Sequence, residues 1–403
     1  MLVDYAAFIY YALIQTAQIM SSDPALGIGP AINKQAGFFI SAFIPFFCVR
    51  LLVVDRDTMY VFFKGFLWTA FALAFLALYQ AQFGDSPYKL IMQNGILWKE
   101  ISFQWAEIRK FMGLPMHRAS APFQQCIMFG WFFAIQVPWC TNLYFEKLSM
   151  KWWVVAWLML PIGTIATVSS GPIMMVGLSF VFLAMFPVRR FWKPIFGSIT
   201  AVVLIIHFTA KRSLLAIVSG FGLDPMSGYY RVNLMNYTLG RARSPKFSDF
   251  NPMEDHWIWG HGTIPLKYDE FRDLCIQWIF LTVYNGLVGC AGFYILVLAC
   301  SWNLWRANKK STTLKDQWLC WSLFAVLIAS NLAMQLVALF AEMYFIYHMF
   351  LGLCANSFII CGSQSEERLV GVLAEMDGKK VLLRYRLKPG QRLALVHPPA
   401  QSR

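Results

Sequence analysis

The sequence predicts an all-α polytopic membrane bundle of about ten spans, with a large loop on one side and a small β-like tail. Three observations predict it. The 403 residues are 58% apolar and only 14% charged, where soluble domains carry roughly a quarter charged residues. The apolar residues come in long blocks rather than at amphipathic spacing. The short connections between blocks are strongly basic at every second position. So much apolar surface cannot be hidden inside two ordinary soluble domains, and the same composition excludes disorder.

A helix needs about 20 mainly apolar residues to cross the hydrocarbon core. Segments 4–20, 36–54, 61–82, 121–140, 152–169, 171–187, 194–209, 276–300, 318–340 and 343–362 fit. The amino-terminal Met-Leu-Val-Asp lacks the basic start of a cleaved signal peptide, so the first run is expected to be a retained helix. The even count places both termini on one side. Basic residues follow the second span (Arg50, Arg56), the fourth (Lys147, Lys151), the sixth (Arg189, Arg190, Lys193) and the eighth (Arg306, Lys309, Lys310, Lys315). By the positive-inside rule that side is cytoplasmic. Residues 1–363 then form one transmembrane domain whose outer side receives two long segments, 83–120 and 210–275.

In a soluble protein the net charge of +13 would suggest nucleic acid. In a bilayer it reflects basic residues held on one side and others facing an anionic ligand, so no nucleic-acid partner is expected. The nine cysteines show no C-x-x-C pair and no Cys/His cluster, so no metal is expected. Cys48, Cys140, Cys300 and Cys361 lie in or beside apolar runs, as small buried hydrophobes do.

In the first outer segment, apolar residues recur at helical spacing around Trp98, Ile101, Trp105, Ile108 and Met112. This reads as a helix lying in the interface, or equally as a packed helix of an outer domain. The tail, 364–403, carries two alternating runs around Asp377-Gly378, a hairpin signal; it is expected to be a small cytoplasmic β module or a loosely ordered tail.

Chemistry is expected in the long loops, because short connections merely join helices. In 210–275, Arg231 follows Tyr229-Tyr230 and leads a helical-looking stretch. A guanidinium presents a planar fork of donors that can grip two phosphate oxygens without losing its charge. Further on stands His256-Trp-Ile-Trp-Gly-His-Gly262, where Gly260 and Gly262 allow close backbone approach. His261 between them could orient or deprotonate a hydroxyl, or simply serve as a turn residue. Asp273, at the mouth of the eighth span, could be a helix N-cap or a base facing a cavity. His207, Glu342 and His348 are costly within a bilayer unless paired or near its boundary.

Four stretches carry a resemblance. His117-Arg-Ala-Ser-Ala-Pro-Phe-Gln-Gln-Cys-Ile-Met-Phe-Gly130 resembles the Arg-Ala-Ser-Gly-Pro-Phe…Pro-Ile…Phe-Gly signature that precedes a span in bacterial exopolysaccharide polymerases. Ser169-Ser-Gly-Pro172 resembles their Ser-(Arg/Ser)-Gly turn. Tyr230-Arg231 followed by Trp257-Ile-Trp-Gly-His-Gly resembles their His-Arg…Trp…Gly-x-Gly arrangement, and Asp273 through Gly289 resembles their Asp-x-x-Asn…Gly-Leu-x-Gly stretch. In order and on a matching hydropathy frame, these cover about 118 to 290. The chain thus resembles the O-antigen polymerase and ligase superfamily. Cys275 and Ile276 replace the Asn usual after the Asp, and Ser170 stands where ligase-like members often have arginine.

The resemblance implies a cofactor-free, metal-independent, inverting glycosyltransferase of the bacterial inner membrane. It would polymerise undecaprenyl-pyrophosphate-linked oligosaccharide repeat units at the periplasmic face, with a chain-length regulator as a possible protein partner. Arg231 would be the main pyrophosphate contact, with Arg212 and Arg118 as second contacts. Asp273 or His261 would deprotonate the acceptor hydroxyl. The alternatives are a ligase moving the glycan to lipid A core, and a polysaccharide transporter or flippase; the latter fits less well because no internal repeat is visible.

Overall fold

A computed structural model describes residues 2–21, 28–85, 108–111, 113–120, 122–123, 125–143, 150–209, 225–238, 257–260, 274–339, 342–362, 369–376 and 379–386. It is mostly helical. Helices α1 (Leu2–Ser21), α2 (Ile28–Phe38), α3 (Ile44–Leu52) and α4 (Arg56–Phe83) come first, with a π turn, Phe39–Phe43, joining α2 to α3. After a two-stranded hairpin, β1 (Ile108–Phe111) and β2 (Leu114–His117), follow α5 (Cys126–Ala134), α6 (Val137–Leu143), α7 (Met150–Ala166), α8 (Ser170–Ala184), α9 (Trp192–Thr209) and α10 (Pro225–Thr238). Helices α11 (Gln277–Lys310), α12 (Leu314–Ala333) and α13 (Glu342–Gly362) complete the bundle. Strands β3 (Leu369–Met376) and β4 (Lys379–Arg386) pair antiparallel, with Met376 opposite Lys379 across a two-residue connection.

Four helical stretches among the described residues are long and apolar enough to cross a membrane: Gln35–Leu52, Arg56–Phe83, Gln277–Lys310 and Glu342–Cys361. Val154–Ala166 and Ser170–Ala184 are shorter apolar helices. This is the architecture of an all-α membrane protein.

Local chemistry sets the boundaries. Helix α4 starts five residues before the expected run because Asp55 and Thr58 form a reciprocal capping box. The 121–140 run is divided: α5 ends at Ala134 and α6 starts at Val137, since Pro138 has no amide hydrogen to donate to the Ala134 carbonyl and so cannot continue the α-helical ladder. Helix α12 ends at Ala333, well short of residue 340, and a non-helical connector, 334–339, leads toward Glu342. The expected 96–112 helix is corrected where it is described. Ile108–Phe111 is a strand paired with Leu114–His117, because Gly113 takes a left-handed φ of 87° and Pro115 follows.

Side-chain bonds sort the helix termini into two ends. At the first end, Arg50 pairs with Asp4 at 2.8 Å and donates to Asn356, whose amide in turn donates to the Val49, Arg50 and Val53 carbonyls. Arg56 pairs with Asp316, and Arg189 donates to Gln317 at 2.5 Å. The expectation that Arg50 and Arg56 belong to the short connection after the second span is corrected: Arg50 lies within α3 and Arg56 opens α4. They are 2% and 4% exposed, because each finds a carboxylate on a neighbouring helix. Cys140, Cys300 and Cys361 are buried thiols, but Cys48 is exposed on the outer face of α3.

Candidate functional site

The second end of the bundle gathers the motifs. Segment 117–120 crosses it and is held residue by residue. His117 packs over Gly84 at the end of α4, where φ is 79° and an added Cβ would meet the imidazole at 2.9 Å. Arg118, 9% exposed, donates to the Ser169 hydroxyl at 2.9 Å. The Ala119 amide donates to the Ala166 carbonyl at 3.0 Å, and the Ser120 amide to the Gln80 side chain at 2.9 Å. The His-Arg-Ala-Ser stretch is thus joined to the Ser-Ser-Gly-Pro turn.

That turn is strained. Val168, fully buried, has a φ of 44°, rare for any residue with a Cβ and an outlier for a β-branched one. Such backbone costs about 1–3 kcal/mol and persists only where its surroundings impose it. Here the surroundings are the Ala119–Ala166 bond on one side and Ser169 held by Arg118 on the other. Gly130, from the Phe-Gly portion of the first motif, sits against Pro172: a Cβ there would meet the ring at 2.6 Å.

A second pair of motifs meets across α11. Gly286 breaks that helix with a φ of 66° and a ψ of −179°. The break would leave backbone groups unsatisfied in an apolar setting. Residues 257–260 supply the partners. The Leu287 amide donates to the Trp257 carbonyl at 2.8 Å, and the Val288 amide to the Ile258 carbonyl at 3.3 Å. On the other side of the break, Gln18 of α1 donates to the Asn285 carbonyl and, at 2.9 Å, to the Trp259 carbonyl. Gly260 has a φ of 73°, and a Cβ on it would meet the Tyr284 carbonyl oxygen at 2.5 Å. Both glycines are required by approach and by backbone sign.

Arg231 lies on α10, half-buried, in a stripe with Gly228, Leu234 and Thr238. Leu234 packs with Leu274, Ile276, Ile279 and Val283 at the start of α11, and Tyr284 borders the same cluster. Helix α10 and the 257–260 segment therefore flank one stretch of α11. The connector after α12 ties this stretch to the Ser169 turn. Gly171 faces Val337, the Gln277 amide donates to the Met334 carbonyl at 3.1 Å, and the Gln277 side chain accepts from the Leu339 amide at 2.6 Å. The turn that holds Arg118 is thus linked, through the 334–339 connector, to the start of α11, against which the helix that carries Arg231 packs.

Arg212, His261 and Asp273 lie outside the described residues. The N-cap position of α11 belongs to Ile276, three residues beyond Asp273, with extended backbone and no side-chain cap. The N-cap role considered for Asp273 is thereby corrected. Glu342 is exposed in the first turn of α13, whereas His348 is fully buried and bonded through Nδ1 to the Tyr344 carbonyl at 2.7 Å.

Three glutamines, Gln18, Gln80 and Gln277, had not been singled out, yet each satisfies backbone groups that join the motifs. Their signal was available: a carboxamide at the end of an apolar run is expensive without a partner. Among the described residues no group of three or more His, Cys, Asp or Glu side chains is placed to hold a metal ion. Comparison with protein-family models, curated proteins and solved structures finds no match.

Proposed function

We propose that this chain is a membrane glycosyltransferase that joins oligosaccharide repeat units carried on undecaprenyl pyrophosphate. One observation carries the reading. Motifs far apart in sequence meet at a single end of the bundle: Arg118 with Ser169, and Trp257–Gly260 with Gly286, beside the helix bearing Arg231. A lipid-linked donor presents its pyrophosphate at the membrane boundary, next to the anomeric carbon. As the acceptor hydroxyl attacks that carbon with inversion, negative charge grows on the departing pyrophosphate. Arginines held at fixed positions stabilise such charge without reorganising. Arg231 is assigned the main contact, with Arg118 and Arg212 assisting, and His261 or Asp273 takes the hydroxyl proton.

The reading carries a topology. Ten passes with both termini in the cytoplasm of a bacterium put the Arg50 and Arg56 end inside and the motif end at the periplasmic face.

The break in α11 favours a second reading, because transporters use interrupted helices to bind ions or substrates. Against it, the amides of Leu287 and Val288 and the carbonyl of Asn285 are already taken by the 257–260 segment and by Gln18. The break holds a loop.

The test is reconstitution of purified protein with a lipid-linked repeat unit. Elongated carrier-linked product without any further acceptor supports a polymerase. Product formed only when lipid A core is added would make the chain a ligase, and movement of the carrier across the bilayer without a new glycosidic bond would make it a flippase.

A further inference from the structure

The last turns of α11 carry a second set of cations that the proposed reaction does not use. Along one exposed stripe of this helix stand Ile295, Leu298 and Trp302, which are 44%, 67% and 49% exposed, and then Lys309. The Trp302 and Trp305 rings lie 4.7 Å apart, and the Lys309 ammonium sits 3.9 Å over Trp305. Beside them, the Arg306 guanidinium and the Lys310 ammonium lie 5.1 Å and 4.5 Å from the centre of one ring, Phe358 of α13. Helix α11 contains no Asp or Glu, and the only one in α13 is Glu342, at the opposite end. Among the described residues at this end, the buried carboxylates Asp4 and Asp316 pair with Arg50 and Arg56.

Three like charges within two turns form a cationic site that suits an anion. The negative end of the helix dipole favours them there but does not neutralise them. The stripe specifies which anion. Exposed aliphatic side chains come first, then an indole pair of the kind found at headgroup level, then ammonium groups. Ile295 to Lys309 spans roughly 21 Å at about 1.5 Å per residue, one leaflet's hydrocarbon of about 15 Å plus the interfacial layer. We propose that this end of α11, with Phe358, binds the phosphate of an acidic phospholipid whose acyl chains lie along Trp302, Leu298 and Ile295. The proposal rests on the chain's membrane character and is independent of the glycosyltransferase reading.

The experiment is cardiolipin binding to the full-length protein in neutral detergent at low salt, followed by native mass spectrometry. Arg306→Gln/Lys309→Gln/Lys310→Gln is expected to weaken binding by roughly fivefold for each charge removed, about a hundredfold in all. Lys309→Gln/Lys310→Gln alters only exposed side chains and reads the same effect at about 25-fold should the triple variant fold poorly. Lys64→Gln, an exposed cation on α4, should leave affinity unchanged. Wild-type affinity in the double variant, or an equal loss per charge from Lys64→Gln, would overturn the proposal. Displacement of the lipid by inorganic pyrophosphate at equal concentration would also overturn it, by making the site one for soluble phosphate.

Discussion

Gly260 and Gly286 meet backbone to backbone: a Cβ on either would run into the other's segment, and both have left-handed φ angles, 73° and 66°. The contact joins a loop to the broken helix α11 and fixes Trp257–Gly260 beside the stretch on which the Arg231 helix packs.

Gly286→Ala should therefore release the loop. The left-handed backbone alone costs about 1–3 kcal/mol for a residue with a Cβ, and here the Cβ also meets the Ile258 carbonyl. Faster proteolysis near residue 257 with the helical bundle intact is the expected result. Gly292→Ala is the comparison, because its nearest neighbour would lie 3.3 Å away on a side chain.

Ser169→Ala removes the hydroxyl that accepts from Arg118. A hydrogen bond to a charged group contributes about 1.5–3 kcal/mol when buried. The variant should lower the midpoint of thermal unfolding and turnover together. Arg118→Lys should show a similar loss, since an ammonium lacks the planar fork.

The Arg50–Asp4 pair tests the opposite end. Removing one member strands a buried charge, at about 3–5 kcal/mol. Arg50→Ala should cost the most stability, and Asp4→Asn less because Asn356 still accepts from Arg50. The readout is thermal unfolding in detergent. Equal, small losses would mean that the pair is hydrated.

Asp55 gives a pH dependence with a definite sign. Hydrogen bonds from the Thr58 amide and hydroxyl, and from the Asp57 amide, hold its carboxyl below the usual carboxylate range. The cap is therefore fully formed above about pH 4, the unfolded value, and is lost as pH falls through the lower folded one. Asp55→Ala should cost about 1 kcal/mol at neutral pH, and the difference from wild type should shrink on acidification below pH 4.

Much of this was legible in the sequence. Runs of apolar residues located the helices, because burial in lipid tolerates little else, and Asp377-Gly378 marked the β3–β4 connection. Boundaries were less legible where a cap decided them, as at Asp55, or where Pro138 divided a run. The Gly260–Gly286 and Arg118–Ser169 contacts join residues 26 and 51 positions apart, and no local pattern encodes which partner a glycine or arginine will meet. The burial of Arg50 and Arg56 was hidden for the same reason: their carboxylates, Asp4 and Asp316, come from other helices. The strand at Ile108–Phe111 was missed because its apolar spacing fits a helix until Gly113 and Pro115 are weighed.

In the proposed reaction Arg231 stabilises charge on a departing pyrophosphate. The most direct test of this role is single-turnover chain extension by Arg231→Gln with a lipid-linked repeat unit, at a folded yield equal to wild type. The chemical step is expected to fall about 100-fold or more, the scale for losing one preorganised donor to a developing negative charge, with donor binding less affected. Extension at a near-normal rate would contradict it.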